Sequence, residues 1–347
     1  MDLKERIEAF AGLGALVRKS LSDTNETDTS ELSLLINNQQ HKNPWFTPEN
    51  VRAALSAIAN ELTAETLYRW TGMYPELKNV RKPFTVGIII AGNIPMVGFH
   101  DFLSVLITGN NVLTKTSSKD SDLIVHFSEL LCSINPAFRN MIRFTEDTLS
   151  GFDAVIATGS NNTSRYFEAY FGKYPNIIRR NRNSIAILDG TESEYELKGL
   201  GNDIFSYFGL GCRNVSKLYL PSGYKLSELT ETWESFSGII NHNKYANNYD
   251  FNKAVYLVNK EQFLDTGYLL LREEKNLSSP VAVIYYEYYN SYDFVIQDTD
   301  LLKDRIQCIV SKNHTPFGKA QQPLLWDYAD GIDIIEFLLK KKSSGIL

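Results

Sequence analysis

Residues 84–99 read FTVGIIIAGNIPMVGF, and this stretch decides the fold class. From Val86 to Ala91 the side chains form a continuous apolar run rich in β-branched types, which is typical of a strand buried on both faces. Asn93 and Pro95 then break the run, so a membrane span is not expected here. The stretch therefore predicts a buried strand followed by a polar loop.

Strands and helices alternate downstream of this run. We expect strands at 111–115, 154–158 and 184–188, and helices at 96–106, 121–131 and 162–170. This alternation predicts right-handed βαβ units around a parallel sheet. In such sheets ligands bind beyond the carboxyl ends of the strands, where we expect Asn93, Lys115 and Gly159 to converge.

The regions before and after this alternation have other sequence patterns. Residues 1–80 are expected to be mainly helical, with a helix that starts at Thr47-Pro48 and a polar link at 22–33. The second half is dense in Tyr and Phe, and the regular alternation stops there. We therefore place a domain boundary near residue 190.

The composition of the chain excludes several classes of protein. The chain has 347 residues with 35 Lys and Arg against 41 Asp and Glu, so its formal charge is −6 and its pI is about 5.5. Such a chain lacks the clustered basic excess of most nucleic-acid-binding proteins. A hydrophobic content of 43% excludes wholesale disorder, and residues 1–20 are too charged for a signal peptide. We expect a cytoplasmic protein without a nucleic-acid partner or a membrane span.

Cys212 is the residue that most strongly suggests chemistry. It lies in the Gly-rich segment GLGCRN, where glycines leave it little side-chain packing and Arg213 would favour a thiolate. Cys132 and Cys308 lie in helix-like and strand-like apolar runs and are interpreted as packing residues. From this pattern alone, a catalytic and a structural role for Cys212 both stay open.

Six short motifs follow one another in an order that resembles the aldehyde dehydrogenase superfamily over about residues 84–330. They are AGNIP at 91–95, GNNVLTKTSS at 109–118, TGS at 158–160, GC at 211–212, SPV at 279–281 and TPFG at 315–318. The resemblance implies an aldehyde-dehydrogenase-like α/β fold, with a Rossmann-type cofactor domain and a second α/β catalytic domain. It implies N-terminal helices and a nicotinamide-binding domain at 1–189, a cysteine domain at 190–315, and a C-terminal segment at 316–347 that packs back near the active site.

One departure from the superfamily pattern concerns the activation of water. Hydrolysing members carry a Glu-Leu-Gly-Gly-Lys segment near the strand expected at 184–188, and its glutamate activates the water. Here residues 178–183 read IRRNRN and contain no carboxylate. In this respect the chain resembles acyl-CoA reductases of the LuxC type, which exchange an acyl group with coenzyme A instead of water.

The resemblance implies an NADPH-dependent reduction of a small-molecule acyl-CoA to the aldehyde. Cys212 would form the acyl-enzyme, and the Asn93 side-chain amide and the Cys212 backbone N–H would hold the oxyanion. Two alternatives stay open. One is a reductase of an acyl phosphate, similar to γ-glutamyl phosphate reductase, and the other is a nucleotide-binding scaffold without catalysis.

The cofactor contacts also come from the resemblance. The implied cofactor-binding residues are Lys115, Ser117, Ser118, Lys119, Gly159 and Ser160. Ser118 stands where NAD-preferring members carry a glutamate, and Lys119 follows it. A hydroxyl and a cation would accept the 2′-phosphate of NADPH. Gly159 and Ser160 open a helix at which the backbone would approach the pyrophosphate.

Other polar and aromatic residues have open interpretations. His314 is either an acid or base near the active site or a plain loop histidine. Glu273 and Glu274 are similar to a ribose-binding glutamate of the superfamily, but the spacing is displaced. The basic run at 179–182 either attracts CoA phosphates or forms a solvated face. The aromatic residues of the second half either line an acyl tunnel or pack in the core.

We expect neither a metal site nor a large assembly. His100, His126 and His314 are too scattered along the chain to suggest metal ligands. Superfamily members usually assemble through a β-hairpin arm, for which there is little room between Tyr74 and Phe84. A monomer or a homodimer is therefore expected.

Overall fold

The structure is a computed structural model, and it describes residues 1–22, 30–80, 82–116 and 120–340. The chain divides into two compact units. The first comprises Met1–Asn181 together with Leu324–Leu347, and the second comprises Arg182–Pro323. The first unit is therefore discontinuous in sequence, and each unit has its own sheet.

Four helices precede the first sheet. They are α1 (Leu3–Ser22), α2 (Glu31–Lys42), α3 (Pro48–Glu61) and α4 (Ala64–Gly72). The start of α3 is the one predicted: the Thr47 side chain accepts a hydrogen bond from the N–H of Asn50, and Pro48 is the first helical residue. The expected polar link is shorter than predicted, because α2 already begins at Glu31. Residues 23–29 lie outside the described part of the chain.

The first unit has a five-stranded parallel sheet. Its strands are β1 (Thr85–Ile89), β2 (Asn111–Lys115), β3 (Ile142–Thr145), β4 (Ala154–Thr158) and β5 (Asn176–Arg179), in the order β3-β2-β1-β4-β5. Three helices lie between successive strands, namely α5 (Phe99–Ile107), α6 (Asp122–Ile134) and α7 (Asn161–Phe171). Val86 and Ile88 of β1 are fully buried. The predicted central strand and its parallel neighbours β2 and β4 are confirmed.

The second unit has a six-stranded sheet in the order β11-β6-β7-β10-β9-β8, whose pairs are parallel except for β8 with β9. The strands are β6 (Asn183–Ile187), β7 (Val215–Pro221), β8 (Leu264–Asp265), β9 (Leu270–Glu273), β10 (Val283–Tyr289) and β11 (Ile306–Val310). Its helices are α8 (Glu194–Phe205), α9 (Leu226–Trp233), α10 (Asn243–Val258) and α11 (Tyr292–Leu302). No helix among the described residues of either unit is long and apolar enough to cross a membrane.

The division of the chain differs from the boundary predicted at 189/190. The sequence pattern assigns 184–188 to the first alternation, but β6 pairs with β7 and β11 of the second sheet. The boundary therefore lies at 181/182. A local apolar run predicts that a strand exists without showing which sheet it joins.

The C-terminal part also divides differently from the predicted 316–347 segment. Residues 316–323 stay in the second unit, whereas the chain from Leu324 onward returns to the first. There the Trp70 indole donates a hydrogen bond to the Tyr328 hydroxyl at 2.8 Å, and the last helix, α12 (Ile334–Lys340), packs against α5. The predicted proximity of this segment to the active site stays a prediction.

Candidate active site

Cys212 lies in the loop that joins α8 to β7. A short 3₁₀ turn, Ser206–Gly209, precedes it, and within this turn Tyr207, Phe208 and Gly209 all have left-handed backbone with φ values of 52°, 58° and 75°. Left-handed backbone is costly for residues with a side chain, so it persists only where the surrounding structure imposes it. The loop that follows leaves the Cys212 side chain exposed.

Asn214 fixes this loop to the end of α8. Its side-chain N–H groups donate hydrogen bonds to the carbonyl oxygens of Asp203, Ile204 and Ser206 at 3.0, 3.3 and 2.8 Å. Its side-chain oxygen accepts a hydrogen bond from the N–H of Gly211 at 2.8 Å. The residue is only 3% exposed, so these bonds are shielded from water. Asn214 is the last residue of the GLGCRN segment, but the composition of that segment does not show that its side chain bonds back to the end of α8.

The three cysteines differ in accessibility. Cys212 is exposed, Cys132 is half-buried and Cys308 is buried. Burial raises the pKa of the Cys132 thiol, and the Cys308 thiol donates to Oγ1 of Thr315 at 3.1 Å. The backbone carbonyl of Cys212 accepts a hydrogen bond from the Ser184 hydroxyl at 2.9 Å. Cys212 is therefore the most accessible thiol of the three, on a loop whose backbone is fixed.

Asn93, Lys115 and Gly159 lie at one edge of the first sheet. β1 pairs in parallel with both β2 and β4, and Ile89 lies opposite Lys115 on one side and Ala157 on the other. The segments that follow these strands consequently leave the sheet at the same edge. Asn93 is exposed and Lys115 is half-buried. Within the first unit, the structure brings these three predicted positions together.

Gly159 and Ser160 form the start of α7. The Ser160 hydroxyl caps the helix by accepting a hydrogen bond from the N–H of Thr163 at 3.2 Å. A Cβ at position 159 would lie 3.0 Å from the Phe167 ring, so glycine keeps this turn open. Backbone N–H groups at a helix start favour an anion. The arrangement fits the phosphate-binding role that the resemblance implies for this pair.

Three implied cofactor-binding residues follow β2, and two of them, Ser118 and Lys119, are the ones implied to accept the 2′-phosphate. Ser117, Ser118 and Lys119 lie outside the described residues, between β2 and α6. The preference for NADPH over NADH therefore stays a prediction from the sequence.

The turn that carries Asn93 is held by a buried carboxyl group, for which the sequence gives no signal. Met96 has left-handed backbone with a φ of 58°, and its N–H donates to Oδ2 of Asp120 at 3.0 Å. Asp120 is 2% exposed, and burial raises the pKa of its carboxyl well above the usual range. Its other oxygen has no hydrogen-bond partner among the described residues. At the near end of the turn, the Gly92 carbonyl accepts from the Asn43 side chain at 3.3 Å.

The basic run at 179–182 has partners inside each unit. Arg179 is 5% exposed and forms a bidentate ion pair with Asp101 at 2.6 and 2.9 Å. Arg180 pairs with Glu168, and Arg182 donates to backbone carbonyl groups. Attraction of CoA phosphates is therefore the wrong interpretation for Arg179, because a buried carboxylate already neutralises its charge.

His314, Glu273 and Glu274, whose interpretations were left open, all lie in the second unit. His314 is exposed, and its Nδ1 lies 2.8 Å from the Ser311 hydroxyl. Glu274 pairs with Arg272 at 3.3 Å, and Glu273 is exposed at the end of β9. Their roles in binding or catalysis stay predictions.

Aromatic residues of the second unit contribute to its core. Tyr219 is fully buried and Tyr245 is 2% exposed. A narrow cavity of about 30 Å³ lies beside the 3₁₀ turn, lined in part by Phe208, Tyr245 and residues 279–284. It has room for a water molecule but not for an acyl chain. Core packing describes Tyr219 and Tyr245, and the acyl tunnel stays a prediction.

One group of potential metal ligands meets in the first unit, although the linear sequence suggests none. Glu31 on α2 and His126 and Glu129 on α6 each bring one ligand-type atom within 4.8 Å of the others. The Nδ1 atom of His126 lies 3.7 Å from Oε1 of Glu31, and both glutamates are exposed. The expectation that the chain has no metal site stays a prediction.

The sequence of this chain is similar to that of a known protein family. A family model described as "Acyl-CoA reductase (LuxC)" matches residues 35–280, a segment that contains Asn93, Lys115, Gly159 and Cys212. The chain belongs to the LuxC family. The predicted resemblance is thereby confirmed, whereas the TPFG motif at 315–318 lies beyond the matched segment.

The LuxC-family chain is also similar to the long-chain acyl-protein thioester reductase of Aliivibrio fischeri. The two sequences are 23% identical over 208 residues, which cover 54% of this chain and 42% of that protein. The match therefore spans less than half the length of this relative.

Solved structures of aldehyde dehydrogenases share the fold of the LuxC-family chain. Aldehyde dehydrogenase 21 from Physcomitrella patens, in complex with the reaction product succinate, has a TM-score of 0.66 at 13% identity, with coverage of 96% of this chain and 79% of that chain. The NAD-dependent aldehyde dehydrogenase from Sinorhizobium meliloti has a TM-score of 0.64 at 12% identity, with coverage of 93% and 73%. The predicted aldehyde-dehydrogenase-like α/β fold is confirmed.

Proposed function

We propose that this LuxC-family chain is an acyl-CoA reductase that accepts an acyl group on Cys212 and releases it as the aldehyde, with NADPH as the reductant. The observation that carries the proposal is the Cys212 loop. An exposed thiol follows three residues of left-handed backbone, and the loop is fixed by Asn214 and Ser184. A nucleophile needs this combination of access and fixed position.

The first proposed step transfers the acyl group to the protein. The Cys212 thiolate attacks the thioester carbonyl, a new C–S bond forms, and the bond to the coenzyme A sulfur breaks. Coenzyme A leaves as a thiolate and takes up a proton from water. The Asn93 side-chain amide and the Cys212 backbone N–H are the proposed donors to the carbonyl oxygen while it carries negative charge.

The second proposed step reduces the acyl-enzyme. When bound, a reduced nicotinamide would supply the hydride for the acyl carbon. Cys212 then acts as the leaving group: the C–S bond of the thiohemiacetal breaks, the aldehyde departs and the thiolate is restored. Residues 178–183 offer no carboxylate to activate water, and Arg179 among them is paired with Asp101. This supports reduction of the acyl-enzyme over its hydrolysis.

The first unit supplies the proposed cofactor contacts. The open turn at Gly159 and the start of α7, capped by Ser160, suit a pyrophosphate. Lys115 at the carboxyl end of β2 is proposed to reach the adenosine ribose, and Ser118 with Lys119 to favour a 2′-phosphate. A higher kcat/KM with NADPH than with NADH is the expected outcome, and a preference for NADH would contradict this part of the proposal.

The names of the family and of its relative differ in the acyl donor. The family is described as an acyl-CoA reductase, whereas the Aliivibrio fischeri relative is named for an acyl-protein thioester. Both donors present the same thioester carbonyl to a nucleophile. We propose acyl-CoA as the donor, and an acyl-protein thioester is the competing donor in the test.

Trapping the acyl-enzyme tests the proposal directly. Incubation with an acyl-CoA and no NADPH should increase the intact mass by one acyl group, which peptide mapping should locate on Cys212. Cys132→Ala and Cys308→Ala should still be labelled, whereas Cys212→Ala should not.

The other outcomes identify the alternatives. Labelling by an acyl-protein thioester but not by acyl-CoA would reassign the donor. Labelling by an acyl phosphate alone would favour the acyl phosphate reductase. Absence of labelling with every donor, together with tight nucleotide binding, would favour the scaffold.

A further inference from the structure

Two loops of the second unit are attached to the last turns of α8. The Cys212 loop is attached through Asn214, and the loop after β11 is attached through the side chain of Asp203. Oδ2 of Asp203 accepts a hydrogen bond from the N–H of Gly318 at 2.6 Å, and Oδ1 accepts one from the N–H of Ala320 at 2.9 Å. Asp203 thus uses both carboxylate oxygens to hold one short segment of backbone.

The surface of α8 is shaped to receive this segment. Gly199 lies one turn before Asp203 and therefore on the same face of the helix. A Cβ at Gly199 would lie 2.9 Å from the carbonyl carbon of Phe317, and Gly318 has left-handed backbone with a φ of 81°. The backbone of residues 317–320 consequently lies directly against the helix, where only a residue without a side chain leaves it room.

Arg213 and Asn214, the two residues that follow Cys212, are both linked to Asp203. Asn214 bonds to Asp203 itself, and Arg213 bonds to Ala320, which Asp203 also binds. The Asn214 side chain donates to the backbone carbonyl of Asp203 at 3.0 Å. The Arg213 guanidinium donates to the carbonyl of Ala320 at 3.4 Å, and the N–H of Ala320 is bound by the Asp203 carboxylate. Asp203 therefore connects the loop after β11 to the segment that carries the thiol.

We propose that Asp203 is a positioning residue of the reductase, which sets the geometry of the Cys212 loop through Ala320 and Arg213 without touching the substrate. This inference rests on the proposed function for the assignment of Cys212 as the nucleophile. It goes beyond that function because the residue lies on α8, away from every matched motif of the sequence.

The protonation state of Asp203 governs this connection. The residue is 1% exposed, and burial raises the pKa of its carboxyl to about 6, against the lowering effect of the Gly318 and Ala320 N–H groups and of the Lys319 charge. The ionised carboxylate accepts both hydrogen bonds, whereas the protonated form carries a hydrogen on one oxygen and loses an acceptor site.

The surroundings of Asp203 identify it as the titrating group of this cluster. The 315–320 segment presents the ammonium group of Lys319, and the Cys212 loop presents the guanidinium of Arg213. Against Gly201 on the same helix, α9 and the segment after it pack the apolar rings of Trp233 and Phe236. Within this cluster, the Asp203 carboxyl is the group whose pKa is raised to about 6, so we assign to it a change in the loop at this pH.

The test is the kinetics of Asp203→Asn over a range of pH. The amide keeps one acceptor and presents N–H to the second backbone N–H, so the loop should shift while α8 stays intact. We expect kcat to fall about 10- to 100-fold, the loss typical of a small misplacement of reacting groups, with little change in KM for the acyl donor. An acid limb near pH 6 should be present in the wild type and absent in Asp203→Asn.

A matched control is Asp298→Asn. Asp298 also accepts a side-chain hydrogen bond inside the second unit, from Tyr219, and among the described residues it has no hydrogen bond to the Cys212 loop. This variant should keep the wild-type kcat and acid limb. An Asp203→Asn enzyme with wild-type kcat and pH profile would overturn the proposal and leave the function standing.

Two further measurements test the positioning role of Asp203 if Asp203→Asn does not fold or if the proposed function is wrong. Should Asp203→Asn not fold, Asp203→Glu carries the test: a reduced kcat with the acid limb retained is expected, and a wild-type kcat overturns the proposal. Should the wild type reduce no acyl donor, the proposed function fails. The rate of Cys212 alkylation by iodoacetamide, followed by peptide mass spectrometry, then decides: slower alkylation in Asp203→Asn supports the positioning role, and equal rates refute it.

Discussion

The turn that carries Asn93 and the loop that carries Cys212 are fixed by different means. Both contain left-handed backbone at residues with a side chain, and in each a buried polar side chain bonds to the backbone. In the Cys212 loop, Asn214 uses both ends of its amide. In the Asn93 turn, Asp120 binds through one carboxyl oxygen, and the other has no hydrogen-bond partner among the described residues.

The difference shows how these two anchors depend on pH, whereas the Cys212 loop has a second, titratable connection through Asp203. An amide does not titrate, so the bonds of Asn214 are the same in acid and base. The buried carboxyl of Asp120 has a raised pKa, so its protonation state changes with pH in a range where most carboxylates are ionised. The Asn214 anchor is therefore independent of pH, whereas the Asp120 anchor of the Asn93 turn is not.

The largest difference in activity between variants of the two segments is expected at the proposed reacting groups, Cys212 and Asn93. Cys212→Ala removes the sulfur that forms the acyl-enzyme, so acyl-CoA-dependent oxidation of NADPH should fall to the background rate. Asn93→Ala removes one oxyanion donor and should lower kcat by about 10²–10³-fold. The absorbance of NADPH measures both, with Cys132→Ala and Cys308→Ala as controls that keep their activity. Substantial turnover by Cys212→Ala would remove the basis of the mechanism.

The next largest effect is expected at the anchor of the Cys212 loop. Asn214→Ala leaves the N–H of Gly211 and several buried carbonyl groups without their partner, and each unsatisfied buried group costs about 1–3 kcal/mol. The free energy of unfolding, measured in urea, should fall accordingly. Asn259→Ala is the matched control, since Asn259 is exposed and its loss should change stability by less than about 0.5 kcal/mol. A wild-type midpoint for Asn214→Ala would show that the anchor contributes nothing.

The smallest effect is expected at the anchor of the Asn93 turn. The raised pKa of Asp120 means that its contribution to stability is fully present below the unfolded value of 3.8 and is lost as the pH rises through the folded value. Asp120→Asn keeps an acceptor for the Met96 N–H and removes this titration. Relative to the wild type, the variant should therefore become more stable on going from pH 4 to pH 8, as measured by thermal unfolding.

Asp122 provides a control of opposite sign. Burial acts to raise the pKa of Asp122, but the hydrogen bond and charge of Lys42 outweigh it, so the pKa is lowered. Its contribution to stability is present above its unfolded pKa and is lost on acidification. Asp122→Asn should accordingly lose stability relative to the wild type at neutral pH. The same pH trend in both variants would contradict the assignment of the two environments.

The sequence predicted the centre of the first sheet better than its edges. The strands at 111–115 and 154–158 are found with the predicted bounds, and the second of them, AVIAT, is the kind of apolar run expected of a strand buried on both faces. β3 and β5 were not predicted as strands. They are the two edge strands of the sheet, and their mixed side chains do not produce such a run.

A similar limit applies to the candidate site. Cys212 was recognisable because its Gly-rich surroundings are local in sequence. Asp203 and Asp120 were not, because each acts on backbone groups that only the fold brings near; Asn214 lies in the same Gly-rich segment, but its composition does not show that the side chain bonds back to the end of α8. Asp203, for example, binds Gly318 and Ala320 more than a hundred residues further along the chain. Buried polar residues of this kind have no spacing pattern for a motif to capture.

The discontinuity of the first unit has a consequence for the order of events during synthesis. All segments of the second unit are contiguous, from Arg182 to Pro323, and they leave the ribosome before the first unit is complete. The hydrogen bond between Trp70 and Tyr328 joins residues 258 positions apart, so it cannot form until the whole second unit has been translated. Until then the partners of Trp70 and His100 in the C-terminal segment are missing. During this time the surface of the first unit that the C-terminal segment will cover stays exposed in the nascent chain. Transiently exposed surface of this kind makes a folding chain prone to aggregation.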